Sequence, residues 1–188
     1  PFYRGRSPLN WVLINDEKYF GITVHYINNG IDKGDIILQK KFKITNSDDF
    51  YSIMNKAYKE CPKLLFRALK LIKVKSVNRI KQSSICKKGS YFKKRGPGDE
   101  IINWNKKSRE IFSFIRGLSK PAVMAKTYCE KDIIYINKSD PKFLNVKNNF
   151  LPGTILDKTN QFFIVKTSNS AIKIKEWKGK VKRGLRFL

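Results

Sequence analysis

The sequence has 188 residues, 41% hydrophobic and 13% aromatic with 11 Gly and 7 Pro, the make-up of a folded chain with room for one medium domain or two small ones rather than a linker or a disordered tail. No apolar run approaches the roughly 20 residues of a membrane span, residues 1–15 lack the layout of a signal peptide, and three scattered cysteines beside one histidine provide neither a disulfide framework nor a metal set, so a cytoplasmic setting is expected. Lys plus Arg outnumber Asp plus Glu 40 to 15, a formal charge of +25 that draws phosphate-bearing partners, although the excess is spread along a chain rich in Lys, Ile and Asn rather than gathered in one stripe.

Pro8 suits the first turn of a helix whose apolar side is Trp11, Val12 and Ile14, and Asn15-Asp16 ends it. The β-branched and aromatic run "GITVHYI", Gly21 to Ile27, reads as a strand closed by Asn28-Asn29-Gly30. A second strand starts at Asp35 in "DIILQKKFKI", so the Gly30 to Gly34 turn carrying Asp32 joins two strands that pair. Ser47-Asp48-Asp49 caps a helix whose stripe runs Phe50, Ile53, Met54, Ala57, Tyr58 and Cys61, then Leu64, Leu65, Ala68, Leu69 and Ile72. Inside it Pro62 costs about 3 kcal/mol, which predicts a kink or break near Glu60-Cys61.

From Ser76 to Pro97 the periodicity fades into basic, Ser- and Gly-containing sequence, the expected linker. A helix resumes at Lys106 with Ile111, Phe112, Ile115 and Leu118 on one side and stops before Pro121. The strand-like runs Val123 to Cys129, Ile133 to Ile136, Gln161 to Thr167 and Ala171 to Trp177 then predict a small barrel. The expected division is therefore 1–75, a linker at 76–97, and a helix plus barrel at 98–188.

One group of residues carries chemistry. Asp32 sits in a Gly-flanked turn at a strand end, with His25 on the preceding strand, and a carboxylate held near an imidazole is a proton-handling pair. By themselves these are equally what a turn aspartate and a packed strand histidine look like. Their order and surroundings add more: "PFYRGRSP", then "GITVHYI", then "GIDKGDI", with "IINWNKKSREIFSFIRGLSKP" and "PGTIL" downstream. The set resembles the folate-dependent formyltransferases across nearly the whole chain, in which P-x-Y-R-G-x-x-P is followed by a G-[IV]-T strand and an L-D-x-G-D-type loop.

The resemblance implies an α/β fold, the C-terminal part of a Rossmann-like formyltransferase domain followed by a small OB-like β-barrel. It implies a formyl donor, 10-formyltetrahydrofolate, and Asp32 as the catalytic carboxylate that orients and deprotonates the acceptor amine; His25, beside it, is expected either to tune that carboxylate or simply to pack. Tyr3, Arg4, Gly5 and Arg6 are the implied substrate-binding residues, the two arginines flanking the mouth, and no metal is implied. In the family an N-x-H-x-S-L-L segment precedes P-x-Y-R-G and supplies a catalytic Asn and His, so the chain is expected to be a C-terminal portion, inactive alone. The "YRGRSPLNWVLIN" loop and His25 look closer to enzymes acting on nucleotide-linked amino sugars, whereas the +25 charge suits initiator methionyl-tRNA, the alternative acceptor. Outside the family, Trp104, Phe162, Phe163 and Trp177 in a Lys-rich chain leave open a nucleic-acid-binding module without chemistry.

Overall fold

The computed structural model describes residues 1–130, 132–146 and 149–187; Lys131, Lys147, Asn148 and Leu188, all within the stretch expected as a barrel, lie outside the described residues. By its contacts the chain separates into two units, residues 1–12, 17–48 and 52–95 in the first, and 13–16, 49–51 and 96 onward in the second.

In the first unit Pro8 opens α1 (Pro8–Ile14), preceded by the two-residue strand β1 (Arg4–Gly5). The two runs of alternating sequence form β2 (Tyr19–His25) and β3 (Ile36–Lys43), which pair antiparallel from Tyr19 opposite Lys43 to His25 opposite Ile36. The register slips between Val24 and His25, as it does where an extra residue re-aims a strand end, and the Asp32 loop starts just beyond.

Helix α2 (Phe50–Lys73) continues for 24 residues with Pro62 inside it, so of the expected kink or break the break is absent. The buried face is Ile53, Ala57, Leu64 and Ala68, and Pro62 points away from it into solvent. Its ring takes the amide hydrogen from the carbonyl of Tyr58, which is 68% exposed. Water can satisfy that carbonyl, which removes much of the penalty that a buried proline would carry.

Residues 76–95, expected as a linker, group with the first unit. They contain α3 (Gln82–Ile85) and β4 (Tyr91–Phe92), which pairs parallel with β1. Ile80 exchanges both backbone hydrogen bonds with Ile36, at 2.9 and 3.1 Å.

The second unit is a helix on a curled antiparallel sheet. Helix α4 (Ser108–Leu118) begins two residues later than expected, with the Glu110 carboxylate accepting the Lys107 N–H at 3.1 Å. The strands are β5 (Ala125–Cys129), β6 (Asp132–Ser139), β7 (Ile155–Lys158), β8 (Phe163–Lys166) and β9 (Ala171–Lys178), in the order β5-β6-β9-β8-β7. Four match the sequence reading; β7 was missed, its ILDK lacking the β-branched and aromatic run that marks β8 of the same length. Ile111, Ile115 and Leu118 of α4 meet Ile134, Ile136, Phe163, Val165, Ile172 and Ile174 in one apolar core. Trp104 and Phe163 are buried in that core and Trp177 packs against it. Three of the four aromatics that suggested a base-stacking platform are therefore packing residues. Among the described residues no helix is long and apolar enough to cross a membrane.

Asp16 is tied within this unit by Arg109, whose Nε and Nη2 donate to its two oxygens at 2.7 and 2.6 Å, by Ser113 Oγ at 2.9 Å and by Arg116 Nη2 at 2.9 Å. Burial pushes the Asp16 carboxyl up, but the Arg109 and Ser113 hydrogen bonds and both guanidinium charges outweigh it and hold its pKa below the ordinary value. A lowered folded value stabilises above the unfolded pKa of about 4 and is lost as pH falls through the folded value. Asp16→Asn is therefore expected to lower the thermal midpoint at pH 7, with the difference from the parent shrinking as pH falls through the lowered folded pKa, read by melting curves from pH 7 into the acid range. A constant offset at every pH would count against this charge account.

Candidate active site

Three stretches of the first unit that are far apart in sequence converge on one cavity: residues 1–6, the loop between β2 and β3, and residues 82–92. The cavity is about 840 Å³, and its lining includes Tyr3, Arg4, His25, Asp32, Gln82 and Phe92. That is the size of a small-molecule site.

The loop is closed at its base and left-handed at its tip. At the base the Tyr26 N–H donates to the Asp35 carbonyl at 2.9 Å. There a Cβ on Gly34 would stand 1.5 Å from the Tyr26 carbonyl oxygen, so only glycine fits. Asp32 has φ of 52°, a conformation Asp tolerates better than most residues. This turns its side chain back toward the start of the chain, where one carboxylate oxygen accepts the Gly5 N–H at 2.9 Å.

The other oxygen lies 3.9 Å from His25 Nε2. His25 Nδ1 is 2.8 Å from the Tyr26 carbonyl. A carbonyl only accepts, so Nδ1 carries the hydrogen and Nε2 presents its lone pair to Asp32 when the ring is neutral. The Asp32 side chain is 47% exposed; it is both anchored and open to the cavity.

Gly5 supplies the anchor because of where it sits. Its φ is 96° and a Cβ there would come within 2.5 Å of the Phe92 carbonyl oxygen, so the pairing of β1 with β4 requires glycine. Tyr3 stacks on Phe92 with ring centroids 4.8 Å apart, and its hydroxyl donates to Glu17 at 2.6 Å.

The two arginines part company. Arg4 is 8% exposed and its fork faces inward: Nε and Nη2 donate to Gln82 Oε1 at 3.1 and 2.7 Å, and Nη1 to the Tyr91 hydroxyl at 3.1 Å. Arg6 is exposed, and its backbone N–H donates to the Phe92 carbonyl at 2.9 Å. Sequence reasoning named Tyr3, Arg4, Gly5, His25 and Asp32, which the structure brings to one place. It missed Gln82, Tyr91 and Phe92, because a polar Ser/Gly-containing stretch has no periodicity from which to read a partner, and Glu17, which follows α1 with no motif around it.

Residues 1–69 match a family described as formyl transferase, and residues 94–186 match the formyl transferase C-terminal domain. The bifunctional polymyxin resistance protein ArnA of Wigglesworthia glossinidia brevipalpis is 40% identical over 157 residues, covering 84% of this chain and 23% of that protein. The methionyl-tRNA formyltransferase of Desulforamulus reducens is 30% identical over 177 residues, 94% of this chain and 54% of that protein. Among solved structures WlaRD, a sugar 3N-formyltransferase crystallised with dTDP and 5-N-formyl-THF, is 25% identical with a TM-score of 0.70, covering 96% of this chain and 63% of its own. The chain spans about half the length of the methionyl-tRNA formyltransferases it matches.

Proposed function

Because this chain belongs to the formyltransferase family, we propose that it serves formyl transfer from 10-formyltetrahydrofolate to the amine of a nucleotide-linked amino sugar. The observation that carries the reading is the Asp32 carboxylate, held by Gly5 at the wall of the cavity with its second oxygen open toward His25.

When bound, 10-formyltetrahydrofolate would supply an electrophilic formyl carbon and would leave as tetrahydrofolate once its own N10–formyl bond broke, while the chain's own groups manage the acceptor. An amine at neutral pH is protonated and must shed protons before and during formation of the C–N bond. Asp32 accepts one at the oxygen not bound to Gly5. His25 Nε2 faces that oxygen at 3.9 Å, the polar neighbour on its open side. Exposed Arg6 is the arginine left to fork onto an acceptor's pyrophosphate, whereas Arg4 shapes the wall from inside. The cavity's mix of aromatic and apolar walls with a few polar groups fits small-molecule reactants. We read the second unit as the family's OB-like barrel, since the Thr154–Arg186 bridge and the Ile155 N–H to Leu185 carbonyl bond at 2.8 Å carry the sheet past β7 toward the chain's end.

The amino sugar is favoured by the likeness to WlaRD and by the "YRGRSPLNW" loop. Initiator methionyl-tRNA is the second reading, favoured by the charge of +25 and by the methionyl-tRNA formyltransferases among the relatives. Supplying the full-length protein with 10-formyltetrahydrofolate and either dTDP- or UDP-linked amino sugars or charged initiator tRNA separates the two. Formylated sugar nucleotide is the expected product, and its yield should vary little with salt, because few phosphates are engaged. Formylation of the tRNA alone, falling steeply with salt, would reverse the ranking.

A further inference from the structure

Gln82 is 5% exposed, and its amide uses every hydrogen bond it can make. Nε2 donates to the Asp32 carbonyl at 2.9 Å and to the Gly34 carbonyl at 2.7 Å. Oε1 accepts twice from Arg4, at 3.1 and 2.7 Å. An amide has two N–H groups and two lone pairs, so nothing is left over for a ligand. The four bonds reach two segments that must be in register for the site to exist. One is the turn that carries the Asp32 carboxylate; the other is the residue next to Gly5, whose N–H that carboxylate accepts.

We propose that Gln82 is the positioning residue of the site, holding the Asp32 turn and the Arg4-Gly5 strand at the spacing that aims the carboxylate into the cavity. The inference rests on the formyl-transfer reading for its consequence, though not for its geometry. Asp32 is in a left-handed conformation, with φ of 52°, which persists where surrounding structure over-determines it. The two donors of Gln82, on either side of Lys33, supply that constraint. A carboxylate in the place of the amide would still accept from Arg4 but would turn an oxygen toward two carbonyl oxygens. Gln82→Glu therefore keeps one half of the clamp and breaks the other, whereas Gln82→Met removes both while conserving length.

The test uses the full-length protein and four variants: Gln82→Glu, Gln82→Met, Asp32→Asn, and Gln82→Glu combined with Asp32→Asn. A displacement of about 1 Å at a reacting group costs about 10²-fold. Accordingly kcat should fall by about that factor in Gln82→Glu, with donor KM little changed. In the Asp32→Asn background the same substitution should cost nothing further, because the group it positions has already lost its role. Hydrogen exchange should quicken at residues 26–35 and 3–6 without spreading to α2, which a general loss of stability would not spare.

Parent-like kcat in Gln82→Glu overturns the proposal, and so does a loss that multiplies with Asp32→Asn. Failure of both Gln82 variants to fold also counts against it, since it would make the residue a support of the whole unit. If Asp32→Asn itself turns over normally, the catalytic reading falls. In that case local exchange in Gln82→Glu still decides whether the clamp exists.

Discussion

Asp32→Asn is expected to lower kcat by about 10²–10⁴-fold, the range that a positioned proton acceptor contributes, while leaving donor affinity nearly unchanged. The substitution is close to isosteric, and the amide oxygen can still accept the Gly5 N–H that Oδ2 accepts at 2.9 Å. The amide NH₂ then takes the place of the oxygen 3.9 Å from His25 Nε2, so the Gly5 anchor is kept and no new clash arises. What disappears is basicity. Steady-state rates beside calorimetric titration of the donor separate the two effects, and a kcat within about threefold of the parent would remove Asp32 from the proton path.

Gly34→Ala should produce the second large effect, through shape alone. The added methyl would lie 1.5 Å from the Tyr26 carbonyl oxygen and 3.1 Å from His25 Nδ1. Neither neighbour can yield: Tyr26 is fixed to Asp35 by a 2.9 Å backbone bond, and its carbonyl accepts from the His25 ring. Relief requires the loop to open, which undoes the Gln82 contact to the Gly34 carbonyl as well. Overpacking with backbone displacement costs about 3 kcal/mol at the upper end of the usual range. For a unit of this size that is more than about 10 °C in thermal midpoint. Turnover should fall with it, while the α4 core in the second unit keeps its own melting transition. A Gly34→Ala protein with parent-like melting and activity would show that the loop has room the structure does not display.

The sequence announced this site unevenly, and the pattern of success has a physical cause. Asp32 and His25 were legible as neighbours because a Gly-flanked turn and the run before it fix them locally, whereas Gly5 was named only through the resemblance, since nothing local announces the short strand it lies in. The β2–β3 hairpin and α1 were legible from local pattern too. Gln82 was not, because its partners lie 78, 50 and 48 positions away and no local pattern distinguishes it from other polar residues between Ser76 and Pro97. That stretch looked like a linker because its order is borrowed from β1 and β3 rather than generated within it. Pro62 misled in the opposite direction. Its local cost was read correctly, but what makes it tolerable is that Pro62 and Tyr58 lie on the exposed face, and which face that is depends on the packing of Ile53, Ala57, Leu64 and Ala68. The polar cluster on Asp16 escaped notice likewise, as Arg109 and Arg116 come from 93 and 100 positions away.

The parallel pairing of β1 with β4 imposes a schedule on biosynthesis. The Tyr3 N–H waits for the Ser90 hydroxyl, 87 residues later, and Arg4 waits for Gln82, 78 later. At ribosomal rates of about 5–20 residues per second the interval is roughly 4–17 s. Throughout it the hairpin and α2 can form from local contacts, yet Gly5 has no strand to hold it and cannot capture Asp32. A nascent chain stalled before Gln82 would therefore carry its carboxylate on an untethered turn, and slow codons between 76 and 92 would prolong that state without changing a single residue of the finished protein.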